Sequence, residues 1–270
     1  MIPFNIRFVL IFFLVLNLNA NDTLDDGFED DGFGDDETIT ITKTQDSNNF
    51  IFYGSISSSI NYSTAKKHTI SSAKLSTNIK MEYKFQDNSK LKSIIKAYKD
   101  DKTDIEDDDY FDINEFTYER TFIKQIDAKF GRQIVVWGKS DNIRITDILN
   151  PLDNTTPGMT DIEDLRLGRG MSKFDYYNGD WAYSALAIYE NRYSLMPKVN
   201  SDYYNANISH SISDEPKNNT KNTAIALSAS GNFAGSDIGF YFVNDFVDLK
   251  PYRTNMYGVA YNKVINNFLL

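Results

Sequence analysis

Charged side chains of both signs are concentrated in one long segment, residues 139–170, which lies between two predicted strands. The charges of this segment extend to Arg169 at its end. We take as candidate pore or loop residues the other charged members and two residues of the strand before it: Arg132, Trp137, Lys139, Asp141, Arg144, Asp147, Asp153, Asp161, Glu163, Asp164 and Arg166. Loops longer than about fifteen residues are usually functional or disordered. We predict that the segment folds inward, forms ion pairs with surrounding strands and contacts solutes, as a porin constriction loop does. A purely structural ion-pair network and a mobile external loop remain alternatives.

Nucleophilic or acid–base catalysis has few candidate residues in this chain. The two histidines are His68 and His210, and the second is flanked by Ser209 and Ser211. Adjacent residues on a strand point to opposite sides, and the spacing shows no third group to orient a catalytic pair. Glycine-rich phosphate loops, zinc-ligand spacing and a dinucleotide fingerprint are missing from the sequence. We therefore predict no enzymatic activity, no cofactor and no metal site.

The elements around this segment show the period of two that is typical of β-strands. Residues 73–85 alternate apolar side chains with polar ones, which indicates one face toward water and one toward lipid or a core. The following charged residues are predicted to face a lumen: Lys74, Lys80, Glu82, Lys84, Glu115 and Glu119. Trp137 lies at the end of a predicted strand, so we predict that it belongs to the aromatic residues at the membrane–water interface.

Ten strands and the lengths of their connections predict the fold. We predict strands at 49–63, 68–86, 89–100, 111–123, 125–138, 171–178, 181–192, 222–232, 236–247 and 254–265. Tight turns alternate with long connections along the chain, as in a barrel with short periplasmic turns and longer external loops. The fold class is therefore all-β: a transmembrane antiparallel up-and-down β-barrel of about ten strands. Residues 264–270 resemble a strand end, an Asn-Asn turn and the start of an eleventh strand, so we expect a chain truncated before closure, although a complete ten-stranded barrel remains an alternative.

The amino terminus predicts export. Residues 1–20 combine a basic residue, an apolar run and a small residue at the end, which is typical of a cleaved signal peptide. Residues 21–48 are strongly acidic and predict a disordered periplasmic leader, and residues 49–270 form the barrel domain. Beyond the signal peptide no run of eighteen apolar residues occurs, so any membrane crossing must use strands.

The amino-acid composition limits the classes of partner that the protein is expected to bind. The formal net charge of −10 excludes a nucleic-acid partner, because phosphate binding requires a basic surface. The chain has no cysteine, so its stability must come from a large core or a closed sheet. We expect outer-membrane lipid and lipopolysaccharide as partners, and the sequence leaves the oligomeric state open.

Two motifs resemble a known group of proteins. Residues 131–138 read Gly-Arg-Gln-Ile-Val-Val-Trp-Gly, residues 150–153 read Asn-Pro-Leu-Asp, and residues 161–166 combine acidic residues with an arginine. This pattern, GRQ-x3-WG followed by NP-x-D, resembles an uncharacterised family of proteobacterial, porin-like outer-membrane β-barrels, over residues 131–204. The resemblance implies a gene neighbourhood with transporters of the RND type, an inner-membrane partner of that type, and traffic of lipids or hydrophobic compounds.

The sequence thus predicts an outer-membrane channel or porin-like transport component for small or hydrophobic solutes, with segment 139–170 narrowing or gating the lumen. The alternatives are a structural or adhesive outer-membrane barrel, with a closed lumen and acidic partner-binding loops, and a secreted soluble β-protein.

Overall fold

A single antiparallel sheet organises the chain. The computed structural model describes residues 38–41, 49–62, 70–100, 110–137, 145–158, 162–199, 201, 203–205, 216–265 and 268–269. Within them twelve strands lie in sequence order, each beside its neighbours in the chain. The strands are β1 (Thr38–Ile41), β2 (Phe50–Tyr62), β3 (Ile70–Lys84), β4 (Lys90–Asp100), β5 (Tyr110–Ile123), β6 (Ile126–Gln133), β7 (Arg169–Asn178), β8 (Trp181–Ile188), β9 (Ala224–Phe233), β10 (Ser236–Phe246), β11 (Arg253–Ile265) and β12 (Phe268–Leu269).

The all-β, up-and-down topology is confirmed, and β2 to β11 correspond to the ten predicted strands. Two short strands are added at the ends: β1, inside the predicted leader, and β12, where an eleventh strand was predicted to start. Among the described residues β1 and β12 do not pair with each other, so the sheet is open at these two edges.

Helical structure is minor. One α-helix, α1 (Ile162–Leu165), and one 3-10 helix, Thr220–Asn222, occur in the described part of the chain. None of the helices described there has the length and apolar character needed to span a membrane.

The alternation of side chains gives the sheet two distinct faces. We call the exposed face the one that carries Phe52, Leu75, Phe174, Leu227 and Tyr257, all large and exposed. The cross-strand register joins such residues in rows, for example Phe174, Ala185, Leu227, Phe242 and Tyr257 across β7 to β11. The opposite side, which we call the packed face, is mainly polar on β2 to β6 and carries an apolar band on β7 to β10 that includes Met171, Leu186, Ile188, Ala226 and Val243.

A β-bulge in β5 adds polar groups to the packed face. The register between β4 and β5 shifts at Ile94/Ile95, so Asn114 becomes the extra residue between Ile113 and Glu115. Asn114 and Glu115 are both buried, although they are adjacent. Bulges re-aim side chains in this way, and here the bulge directs an amide toward the segment described below.

The predicted alternation of connection lengths is confirmed. The connections 85–89, 124–125, 179–180 and 234–235 are short, and the connections 63–69, 101–109, 134–168, 189–223 and 247–252 are longer. Asn88, Gly179 and Gly235 adopt positive φ in the short turns, a conformation that Gly and Asn tolerate best. All short connections lie at one end of the strands.

Two predicted strands are too long. Strand β6 ends at Gln133 rather than 138, because the next backbone N–H groups donate to side chains: Val135 N to Asn150 Oδ1 (2.8 Å) and Trp137 N to Asp147 Oδ1 (3.4 Å). Strand β8 ends at Ile188 rather than 192, since the next two amides both donate to the carbonyl of Gly170. Apolar residues continue beyond β6, at 134–137, but the backbone hydrogen bonds there leave the sheet.

Candidate functional site

Residues 145–158 and 162–168, which we call the folded segment, form short backbone pairings of their own. Leu152 pairs antiparallel with Arg166, and Asp153 pairs parallel with Leu195. Leu167 N donates to Pro151 O (2.8 Å) and Asp153 N to Leu165 O (2.8 Å). These bonds satisfy backbone groups that would otherwise be buried without partners.

Two buried asparagines attach the folded segment to the sheet. Asn150 accepts from Val135 N and donates to Gln133 O (3.2 Å) and Leu167 O (2.9 Å), so it joins the end of β6 to the residues before β7. Asn114, in the β5 bulge, accepts from Gly168 N (3.0 Å) and donates to the carbonyl of Arg166 (3.3 Å). The amides therefore fix the segment by direct recognition of its backbone.

Glycine is required where the segment meets β5. A Cβ atom on Gly168 would lie 1.9 Å from the carbonyl oxygen of Asn114. No side chain fits this gap unless the backbone moves, so the approach of the segment to the bulge depends on glycine.

An apolar cluster forms beneath the folded segment. Leu149 is fully buried against packed-face residues of β7 to β10, including Met171, Ile188 and Val243. Trp137 belongs to the same cluster, is 5% exposed, and lies 5.2 Å from Tyr241 between ring centroids. The interfacial position predicted for Trp137 is therefore wrong: its side chain lies on the packed face, where it packs in the apolar cluster with Leu149 of the folded segment and Tyr241 of β10.

Two ion pairs are buried beside this cluster. Arg166 binds Asp147 within the segment, with Nε and Nη2 at 3.0 and 2.9 Å from Oδ2. Arg169, the first residue of β7, binds Asp245 of β10 and also donates to the carbonyls of Leu149 and Glu190, each at 3.0 Å. Buried charges persist only with such partners, so each arginine is positioned by the acceptors named above.

A second group of charged residues is less buried than these two ion pairs. Asp112 of β5 accepts from both Arg132 (3.2 Å) and Arg192 (2.8 Å). Arg132 also pairs with Glu190, its Nε lying 3.1 Å from Oε2, and Glu190 accepts from Gly170 N (2.6 Å). The group joins β5, β6 and β7 to the residues that follow β8.

A cleft of about 180 Å³ lies next to these charges, lined by residues that include Asp147, Asn150, Arg169 and Asp248. Asp248 accepts from Ser194 Oγ (2.6 Å), which in turn accepts from Leu152 N (2.8 Å). The cleft is therefore polar, and a chain of hydrogen bonds links the β10–β11 connection to the folded segment.

Strands that are distant in the sheet reach the same segment. Lys96 of β4 donates to the carbonyl of Asp164 (2.9 Å), while a Cβ atom on Gly258 of β11 would lie 2.8 Å from Cγ2 of Thr146. A flat sheet would separate β4 and β11 by seven strand spacings of about 4.8 Å each. The sheet therefore curves around the segment, with the packed face on the concave side.

Most of the predicted loop residues that the structure describes lie within or beside this arrangement. The contacts described above include Arg132 with Glu190, Trp137 in the apolar cluster, and Arg166 with Asp147. Asp164 pairs with Lys96 (3.6 Å), and Glu163 belongs to α1. Asp153 accepts locally from Thr155.

The other predicted chemistry-bearing residues lie outside the described residues: Lys139, Asp141, Arg144 and Asp161 of the loop, and His68, Ser209, His210 and Ser211. In the part that is described, no group of three or more acidic or histidine side chains is arranged to hold a metal ion.

The residues predicted to face a lumen share the packed face. Lys74, Lys80, Glu82 and Lys84 alternate along β3, and the register places Glu115 and Glu119 of β5 on the same face. Ion pairs join β4 to β5 here: Lys92–Glu115 at 3.1 Å and Lys90–Glu119 at 3.6 Å.

Arg169 was predicted as one of the charges of the long segment. Several other residues of the arrangement were not predicted as site residues: Asp112, Asn114, Gln133, Asn150, Glu190, Arg192, Ser194, Asp245 and Asp248. Two of them, Gln133 and Asn150, belong to the GRQ and NP motifs, so the motifs themselves held a usable signal. The attachment of the segment depends more on neutral amides than on the predicted ion pairs with the surrounding strands.

Comparison with known protein families finds a match to one of them. Residues 114–266, more than half of the chain, match the family described as "Protein of unknown function (DUF1302)". Searches of curated proteins and of solved structures find no match.

Proposed function

We propose that this chain, which belongs to the DUF1302 family, is an outer-membrane channel for small or hydrophobic solutes, in which the folded segment narrows the lumen of a closed antiparallel β-barrel. The observation that carries the proposal is that one face of the sheet exposes large apolar side chains, while the other face is polar or covered by the folded segment.

The exposed face favours a lipid environment. Large apolar side chains on it are left uncovered on strand after strand, among them Leu75, Phe116, Ile225 and Tyr257, the last 76% exposed. Soluble monomers rarely expose apolar patches above a few hundred Å², because uncovered apolar area costs roughly 25 cal/mol per Å² in water. Lipid chains remove that cost while the packed face stays polar, as in transmembrane barrels.

Aromatic residues near the short turns support the same environment. Trp181 lies beside the 179–180 turn, with ring centroids of Phe233, Tyr183 and Phe240 at 5.8, 6.2 and 6.5 Å. Trp and Tyr concentrate where membrane meets water, so this cluster marks the level of one interface. With an exported amino terminus, we propose that the short turns lie on the periplasmic side.

Closure of the barrel is favoured by curvature and by the cost of free edges in lipid. Unpaired backbone groups cost several kcal/mol each in hydrocarbon, so a membrane sheet closes on itself. The sheet already curves enough for β4 and β11 to reach the folded segment. Most strands have eight to fifteen residues, compared with the nine to eleven tilted residues that typically cross a bilayer.

The transport role and the inner-membrane partner rest on the resemblance carried by the two motifs. An RND-type transporter that delivers its solutes to this channel is the partner we propose. The motif residues Gln133 and Asn150 hold the base of the folded segment, which is the part of the molecule expected to control passage.

Planar-bilayer recording of the purified full chain tests the proposal. We expect discrete openings, and larger or noisier openings in Asn150→Ala, which removes the bonds of Asn150 to the end of β6 and to Leu167 within the segment. Ile145→Ala is the matched control, because Ile145 belongs to the same segment but is 77% exposed. A well-folded protein that never opens would exclude the channel.

A closed structural or adhesive barrel is the second candidate, and the dense packing of the folded segment favours it. Buried Leu149 and the buried pair Arg166–Asp147 are features expected of a plug. This candidate predicts silent bilayers for the full chain. A secreted soluble protein is distinguished from both by recovery in the periplasmic fraction without detergent.

A further inference from the structure

One cross-strand row on the packed face carries an unusual series of charges. The register places Lys84 of β3, Lys90 of β4, Glu119 of β5, Lys129 of β6 and Lys173 of β7 directly beside one another. We call these five residues the lysine row. Four lysines and one glutamate give it a formal charge of +3, although the whole chain has −10.

Two neighbouring pairs in the row have the same charge: Lys84 lies opposite Lys90, and Lys129 lies opposite Lys173. Like charges directly opposite each other destabilise a sheet, so folding stability does not account for this arrangement. Nearby carboxylates reduce the repulsion, since Glu82 lies 3.8 Å from Lys84 and Asp175 pairs with Lys173. Across the row itself the excess of positive charge persists.

The same row continues as an apolar surface on the other half of the sheet. From Lys173 the register leads to Leu186, Ala226, Val243 and then Met256. Leu186, Ala226 and Val243 are at most 3% exposed, because the apolar cluster under the folded segment covers them. The lysine side chains are more open, with 59% exposure for Lys84 and 32% for Lys90.

A solute that crosses the proposed barrel at the height of this cross-strand row must therefore pass the lysine row. The apolar half is occupied by the folded segment, and the open half presents ammonium groups. We infer that the lysine row makes the channel selective for small anions, a conclusion that rests on the proposed channel function. A row of basic side chains lowers the energy of an anion and raises that of a cation in the same passage.

The acidic groups that face the row limit but do not remove this preference. Asp127 and Asp175 lie opposite each other in the next row toward the short turns. Asp175 accepts from Ser184 and Lys173, and Asp127 accepts from Thr121 (2.6 Å). Both carboxylates already accept hydrogen bonds, and the row itself still holds four lysines against the single carboxylate of Glu119.

Reversal potentials in a KCl gradient test the inference, with chloride and potassium as the probes. For the full chain we expect a chloride-to-potassium permeability ratio above one. In Lys84→Glu/Lys129→Glu, each substitution changes the charge by two, so the row goes from +3 to −1 and the ratio should fall below one. Each substitution turns a like-charge pair, Lys84–Lys90 or Lys129–Lys173, into an opposite-charge pair, but it also places a new carboxylate beside Glu82 or Glu119. Lys84→Gln/Lys129→Gln adds no carboxylate and takes the row from +3 to +1, so it should lower the ratio by a smaller step and keeps the test available if the first variant does not fold.

Lys124→Glu is the matched control, because Lys124 is exposed in the β5–β6 turn outside the row. It should leave the ratio unchanged. Openings that prefer potassium, or a double variant that keeps the parental ratio, would overturn the inference and leave the channel function standing. A folded protein without openings would overturn the channel function, and this inference with it.

Discussion

Replacement of Arg169 by methionine should be among the most destabilising single substitutions in the protein. The Arg169 and Asp245 side chains are only 6% and 8% exposed, and two guanidinium nitrogens contact the carboxylate. Removal of one partner from a buried pair typically costs about 3–5 kcal/mol, because the other charge is left without compensation. Arg169→Met also removes the donor to the carbonyls of Leu149 and Glu190, which places the expected loss at the upper end of that range.

A double-mutant cycle separates the charge from the hydrogen bonds. In Arg169→Met/Asp245→Leu neither charge of this pair remains, so the cost should fall to about 1–3 kcal/mol, the value of a few unsatisfied hydrogen-bonding groups. The double variant should therefore be more stable than Arg169→Met alone. Urea unfolding in detergent micelles, followed by tryptophan fluorescence, measures each free energy.

Arg120→Met is the control for this cycle. Arg120 pairs with Asp87 at 3.5 Å, but both side chains are more than 40% exposed, and such pairs contribute about 0–1 kcal/mol. If Arg169→Met cost no more than Arg120→Met, the buried pair would not hold β7 and the carbonyl of Leu149 against β10, which would contradict the site geometry described above.

Three further outcomes are expected. Leu149→Ala should cost about 2–5 kcal/mol in the same unfolding assay, since Leu149 is fully buried, while Ile148→Ala next to it, 42% exposed, should cost far less. Gly168→Ala should expose the segment to protease in the folded protein, and parental resistance would contradict the close approach. The pKa of Asp87 lies below its usual value because Ser89 donates side-chain and backbone hydrogen bonds to it, so this turn loses stabilisation as pH falls through the lowered pKa of the folded state. Ser89→Ala should raise that pKa, measured by carboxyl-carbon NMR, and an unchanged value would contradict the assignment.

The sequence predicted the faces of the sheet well because strand alternation is a local property. Lys80 and Leu75 are assigned to opposite faces by spacing alone, and the structure agrees. Turn residues such as Gly179 and Gly235 likewise marked the short connections, because positive φ restricts the choice of residue.

The attachment of the folded segment was not predictable in the same way. Asn114 and Asn150 bind backbone groups that are distant in the sequence, and Asn114 faces the segment only because of a bulge. Trp137 was misplaced for a related reason, since the sequence does not show that Leu149 of the folded segment packs in the same cluster on the packed face. Hydrogen-bond partners that only the tertiary fold brings together produce no periodic pattern in the sequence.

The most direct test of the central claim uses the two tryptophans of the chain. In lipid vesicles of the full chain, brominated lipids should quench Trp181, on the exposed face, in the variant Trp137→Phe. They should leave Trp137 largely unquenched in Trp181→Phe, because Trp137 is buried in the cluster on the packed face. Quenching of Trp137 alone, or of neither tryptophan, would contradict a sheet that crosses the membrane with its exposed face toward lipid.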